Sequence, residues 1–276
     1  MSRKSKQSTR AVIRYIITFV LMVSLVGISL MSYGKYSMLS VHGVINSCER
    51  VKYFKDICNE METEAYYLGI PFGITKKEIK GVFEEKEVRQ DVTNIIVSMK
   101  NGNKPRIDTY ELRKRMEEKI TAKEGSLNTK QKESLSVYIS QVENMYQKKV
   151  YIPGTDSIVK MINIADRVVL IGIPLLLFII IISIFYLISS RRYVHHGLRS
   201  VAYSFIGAGI TLVTVFAGMI SDRSIYRFNI SDVYMRKFFT FWIGHEMLMQ
   251  VFAGIMLLMT GALLIYLVIR QKSRVR

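Results

Sequence analysis

The stretch VVLIGIPLLLFIIIISIFYLISS, residues 168–190, decides the architecture, because it runs its whole length without a charged side chain. A helix needs about 20 apolar residues to cross a hydrocarbon core roughly 30 Å thick. In lipid, every backbone polar group must find its partner inside the element, so such a run is a helix. Pro174 stands within it and is expected to kink it. Three further uncharged stretches lie outward from this one, at residues 16–33, 201–221 and 247–269. The chain therefore reads as an all-α membrane protein with four transmembrane helices, at 15–33, 166–190, 201–221 and 244–269. Half of its 276 residues are apolar, with a mean hydropathy of +0.20, and that excess is concentrated in these blocks.

The basic residues before the first span also fit a signal peptide, and Ser32-Tyr33-Gly34 offers small residues at a cleavage spacing. The apolar run is longer than a usual signal core and no A-x-A pattern follows it, which favours an uncleaved anchor.

Charge sets the expected orientation. Arg3, Lys4, Lys6, Arg10 and Arg14 precede the first span; Arg191, Arg192 and Arg199 lie in the 191–200 loop; Arg270, Lys272, Arg274 and Arg276 form the 270–276 tail. These three segments hold no acidic residue. Short flanking segments rich in Lys and Arg stay in the cytoplasm, so both termini of this multi-pass chain are expected there. The net charge of +17 could suggest nucleic acid. Its excess is juxtamembrane, however, and fits anionic lipid headgroups, with Arg191, Arg192 and Arg199 as candidate headgroup contacts.

Residues 34–165 are expected to form an extracytoplasmic helical domain between spans one and two, with 22 basic residues against 18 acidic. Three apolar stripes recur at helical spacing: Val88, Val92, Ile95, Ile96 and Met99; Leu112, Met116 and Ile120; and Leu135, Tyr138, Ile139, Val142 and Tyr146. Thr75 with Glu78, Asp108 with Glu111, and Asn128 with Gln131 read as capping boxes. A small helical bundle is the expectation. Tyr53, Phe54, Ile57 and Met61 suggest that span one extends outward as a stalk. Thr155 or Asp156 could start a helix running unbroken into span two. Cys48 and Cys58 are ten residues apart. On one helix that is about 15 Å of rise, too far for a disulfide, which needs Cα atoms within about 7 Å. Two unbridged thiols are expected on that stalk; a turn near residues 46–50 would instead permit a closed disulfide.

Several motifs carry a resemblance: GIPFGI (69–74), VFEEKEVRQDV (82–92), IDTYEL (107–112), YIPGTDSI (151–158) and RRYVHHGLRSVAYSFIGAGI (191–210). Together they resemble a family of four-span membrane proteins of Gram-positive bacteria with a helical outer domain. The resemblance implies this architecture and a bacterial plasma membrane, and it carries no assigned activity.

Candidate chemistry is sparse. His245 and Glu246 open the fourth span, but Met249 stands where a zinc helix needs its second histidine. They read as a polar pair at the outer interface, with Arg236 or Lys237 as partners for Glu246. His195-His196 lies among arginines and reads as a headgroup-contacting loop. Glu84, Glu85 and Glu87, interleaved with Lys86 and Arg89, read as a solvated face. Asn229-Ile230-Ser231 matches a glycosylation acceptor that a bacterium would not use. No cofactor or metal is implied. Gly207, Ala208, Gly209, Ala217 and Gly218 in span three, with Ala253, Gly254, Gly261 and Ala262 in span four, permit close packing within the chain or in a homo- or hetero-oligomer.

The reading that results is a non-enzymatic envelope protein whose outer domain binds, senses or scaffolds, with an envelope protein or a wall component as partner. The alternative is the membrane subunit of an export complex. FtsX-type permease-like proteins are similar in topology, and that similarity implies a cytoplasmic ATPase docking between spans two and three. Here only 191–200 is on offer.

Overall fold

The computed structural model describes residues 3–124, 129–152, 154–189, 194–222 and 233–274. Its regular structure there is helical, without strands. In chain order the α-helices are α1 (Arg3–Tyr33), α2 (Val41–Arg50), α3 (Tyr53–Gly69), α4 (Lys76–Ile79), α5 (Glu85–Lys100), α6 (Tyr110–Glu124), α7 (Thr129–Val150), α8 (Thr155–Ser189), α9 (Val194–Ser221) and α10 (Val233–Arg274). A π-turn (Gly34–Met38) follows α1, and a 3₁₀ turn (Ile70–Phe72) follows α3. Four of these helices, α1, α8, α9 and α10, are long and apolar enough to cross a membrane. The chain divides into two compact units.

The first unit comprises residues 1–40, 164–229 and 240–276 and holds the four spanning segments. Leu21, Leu25, Leu187, Val201 and Ala208 form its buried centre, with Met22, Ile184 and Leu257 packed against them. Large apolar side chains such as Phe19, Leu170, Phe178, Phe185 and Met259 stay exposed, the surface a lipid-facing helix presents. Helix α9 packs against α10 through glycine. A Cβ built on Gly209 would stand 2.6 Å from the Gly254 carbonyl oxygen, and one on Gly254 would stand 2.9 Å from the Gly209 carbonyl oxygen. The small-residue stripes at Gly209, Gly254 and Gly261 are thus used inside this chain, while Gly218 faces open space. Hydroxyls in the spans bond the carbonyl four residues back, as Thr18 does to Arg14 (2.8 Å) and Ser24 to Val20 (2.8 Å). Ser204 on α9 donates to the Thr18 carbonyl of α1 (2.8 Å).

The second unit comprises residues 41–163 and 230–239. Its core is built from the expected stripes. Val88, Val92, Ile95 and Ile96 of α5, Leu112, Met116 and Ile120 of α6, and Tyr138, Ile139, Val142 and Tyr146 of α7 are all buried. Met99 and Leu135, at the ends of their stripes, are half-buried. The start of α10 belongs to this unit: Tyr234 and Phe238 pack their rings on Tyr53, at centroid distances of 5.6 and 6.3 Å. The Thr75–Glu78 capping box forms, with the Thr75 N–H donating to Glu78 Oε2 at 2.6 Å. Asp108 accepts from the N–H of Tyr110 at 3.0 Å, an Asx turn in place of the expected box with Glu111. Asn128, the third expected cap, lies outside the described residues.

Three expectations change. The stalk is not one helix. The chain leaves α1 through the π-turn at Gly34–Met38, and it turns again between α2 and α3, where Lys52 takes the left-handed conformation at φ 59°. The hydrogen bonds from Val51 N–H to Ser47 O (3.3 Å) and from Lys52 N–H to Glu49 O (2.9 Å) close that turn. Cys48 and Cys58 are both free and buried, but on different helices, so it is the turn and not helical rise that separates them. Second, the 191–200 loop shrinks: α9 begins at Val194, which makes His195, His196 and Arg199 helical. Third, α10 begins at Val233, eleven residues ahead of the expected fourth span at 244–269. At 1.5 Å per residue its 42 residues run about 63 Å, twice what a hydrocarbon core requires. The expected start at Thr155 holds, and α8 continues from there through Pro174 to Ser189.

Candidate functional site

Of the expected polar pair, Glu246 enters a network and His245 does not share it. Glu246 Oε1 accepts from Gln250 Nε2 at 3.1 Å, one turn on along α10. Gln250 Oε1 accepts in turn from the Ser29 hydroxyl of α1 at 3.0 Å. Gln250 is 1% exposed and Ser29 is also buried. This is a hydrogen-bonded link between two spanning helices, made by groups that could find no water there. His245, the neighbouring residue, stacks on Phe241 at 5.6 Å with the rings 8° apart. Lys237, one of the two partners expected for Glu246, lies with its Nζ 3.4 Å from Asp56 Oδ2. Gln250 and Ser29 were the missed members, uncharged polar residues inside apolar runs.

Of the expected headgroup contacts, Arg191 and Arg192 lie outside the described residues. Arg199 donates from Nε to the Tyr203 hydroxyl (2.6 Å) and lies over that ring, 5.5 Å from its centroid. His195 and His196 stand side by side at 4.3 Å. Asn229-Ile230-Ser231 lies outside the described residues. Among the described residues no cluster of three His, Cys, Asp or Glu side chains could hold a metal ion.

The helical unit is held by ion pairs at its surface. Arg113 clasps Glu143 through two bonds, Nε to Oε1 at 3.0 Å and Nη2 to Oε2 at 2.5 Å, and the Thr109 hydroxyl adds a third at 2.9 Å. These bonds, the one from Arg113 first, hold the Glu143 carboxyl below its ordinary range. Arg115 bridges Glu84 (3.4 Å) and Glu87, while Arg89 reaches Glu49 (2.9 Å). Inside, the Tyr146 hydroxyl donates to Asp91 Oδ2 at 2.6 Å beneath the stacked ring of Phe83. Burial pushes the Asp91 carboxyl up against the opposing pull of that bond. Burial likewise pushes both thiols up, Cys58 to about 12, so neither is a thiolate nucleophile at neutral pH.

Two clefts open on this unit. One, of about 520 Å³, lies between the α2–α3 corner and the first turns of α5, with Lys52, Lys55, Lys86 and Arg89 facing Glu49 and Glu85 over Phe54. The other, of about 330 Å³, has Lys76, Lys77 and Lys80 beside Glu62. The Gly81 N–H already donates to Glu62 Oε1 at 2.6 Å. Both clefts carry more cationic than anionic groups, and neither presents the nucleophile–base geometry of a catalytic site. The 84–89 run read as a solvated face; the structure adds Lys52 and Lys55 to it from across the turn at 51–52, just past the 46–50 stretch where the sequence offered a turn as the alternative. Comparison of the chain with protein-family models, with curated proteins and with solved structures finds no match.

Proposed function

We propose that this chain is an integral plasma-membrane protein with both termini in the cytoplasm, whose helical unit faces outward and acts by binding, as an envelope receptor, sensor or scaffold without a catalytic step. The observation that carries the reading is the polarity contrast along the chain. Twelve basic and no acidic residues flank the spans in the N-terminal segment, the α8–α9 connection and its continuation to Arg199, and the C-terminal tail. Most of the compact polar unit, residues 41–163, lies in the one long segment where acidic residues nearly balance basic ones. The motif resemblance to four-span Gram-positive envelope proteins supports the same placement. A permease-subunit role would need a substantial inner segment between spans two and three, and the sequence offers only about ten residues there, 191–200.

Cysteine accessibility tests the reading. The native thiols are buried, so Asn103→Cys, on the exposed turn after α5, and Ser273→Cys in the tail stand out against a low background. In intact cells an impermeant maleimide labels position 103 and reaches 273 only after permeabilisation. The reverse pattern would put the helical unit in the cytoplasm and end the proposal.

A further inference from the structure

We propose that the cleft at the α2–α3 corner binds a phosphate-bearing ligand, the shared chemistry of a phospholipid headgroup and a soluble phosphate ester; this rests on the reading of the helical unit as a binding module. Four cationic side chains, Lys52, Lys55, Lys86 and Arg89, line one opening of about 520 Å³, a size that takes a small organic phosphate. Among the described residues Lys52, Lys55 and Lys86 make no ion pair, and Arg89 neutralises Glu49 at 2.9 Å. Two helices of 17 and 16 residues, α3 and α5, begin at this opening, and neither N-cap residue, Lys52 nor Glu84, caps its helix with a side chain. Helix N-termini present N–H groups and partial positive charge, which together with lysines suit a phosphate group. Glu85 opposes an anion, and its carboxylate sets a limit on affinity.

Lys52 stands at an unusual place in the backbone. It is the one non-glycine residue with positive φ among the described residues, at the position after a helix end where glycine or asparagine is normally favoured. Its side chain lines the cleft although its backbone is strained there. A lysine at this corner costs stability and places an ammonium in the site.

The test uses the full chain in dodecyl maltoside micelles, which carry no phosphate, titrated calorimetrically with sn-glycerol 3-phosphate. Saturable binding that weakens with added salt is expected. Lys52→Gly and Lys86→Ala should each weaken it about five- to tenfold, the loss of one charge-assisted contact. Glu85→Gln should tighten it severalfold. Lys52→Gly should also raise the melting temperature by a few degrees, because glycine relieves the strained φ, so lost binding could not be a folding defect. Repeating the titration in phosphatidylglycerol discs separates the sources. Competition by the disc assigns the site to a lipid headgroup, and unchanged binding assigns it to a soluble ester. Absence of saturable binding in the phosphate-free micelles, or binding that both lysine substitutions leave unchanged, overturns the site. Either result leaves the outward-facing reading intact, since maleimide labelling decides that separately.

Discussion

The two units of this protein solve the same packing problem with opposite materials. In the spanning unit, lipid is as apolar as the side chains, so burying leucine gains little, and helices associate through close backbone approach and internal hydrogen bonds. Gly209 against Gly254 and the Ser29–Gln250–Glu246 chain are the visible devices. In the helical unit, water drives large side chains inward. Tyr53, Met61, Ile96, Tyr138 and Tyr146 are at most 2% exposed there, while ion pairs such as Arg113–Glu143 stay near the surface. One chain thus carries two dictionaries, in which the same residue type means different things.

The contrast can be broken most sharply by changing volume. Ile96→Ala should cost the helical unit about 3–4 kcal/mol, through lost burial and the cavity left behind. The exposed Leu175→Ala of α8 should cost under about 1 kcal/mol, since its side chain leaves no cavity. Thermal melts of the full chain in detergent, followed by circular dichroism, measure both; equal losses would erase the distinction. The opposite substitution reverses the ranking. Gly209→Ala forces a methyl group to within 2.6 Å of the Gly254 carbonyl and should cost about 2 kcal/mol, whereas Gly218→Ala, in open space, should be near neutral. A harmless Gly209→Ala would mean that α9 and α10 do not touch there.

Smaller effects sharpen the comparison. Gln250→Leu removes the link from α1 to Glu246 and should cost about 1 kcal/mol, the size of interhelical hydrogen bonds in membranes. Ser29→Ala in the same background should add almost nothing, and additive losses in that double-mutant cycle would show the bond is not made. Last comes pH. Glu143 has its folded value depressed by Arg113, so its contribution is fully present above the ordinary glutamate value near 4.3 and fades as pH falls through the lower folded value. Replacing it, as Glu143→Gln, should lose about 0.5–1 kcal/mol at pH 7 for a part-exposed bidentate pair, and should flatten the acid limb of the stability curve. An unchanged acid limb would mean that the clasp is not populated.

The four spans were legible because uncharged runs of this length have few other readings. The stripes of α5, α6 and α7 were legible because water enforces a period of 3.6 residues on a partly buried helix. What the sequence concealed was the turn at Lys52, where a lysine stands in a left-handed position that glycine or asparagine would have announced. The continuous stalk fails there and at the π-turn after α1, and the lysine at the left-handed position also hid Lys52 and Lys55 from the cleft they share with Lys86 and Arg89. The early start of α10 was obscured by Arg236 and Lys237, which read as loop charges, although Tyr234 and Phe238 on either side of them pack on Tyr53. Small residues in α9 and α10 signalled close packing without naming the partner. That choice depends on which faces meet, and the geometry assigns Gly209 to Gly254.

The two buried thiols have a use of their own. Protonated and shut inside the helical unit, Cys48 and Cys58 can meet a maleimide only when that unit opens. When reclosing outpaces the reagent, the modification rate is the rate of an exposed thiol multiplied by the open fraction, as in amide exchange. The native chain therefore carries its own clock for local unfolding, readable inside a bilayer where denaturants and calorimetry are least convenient. Because the cysteines sit on either side of the Lys52 turn, unequal rates would reveal whether α2 and α3 open together or one after the other.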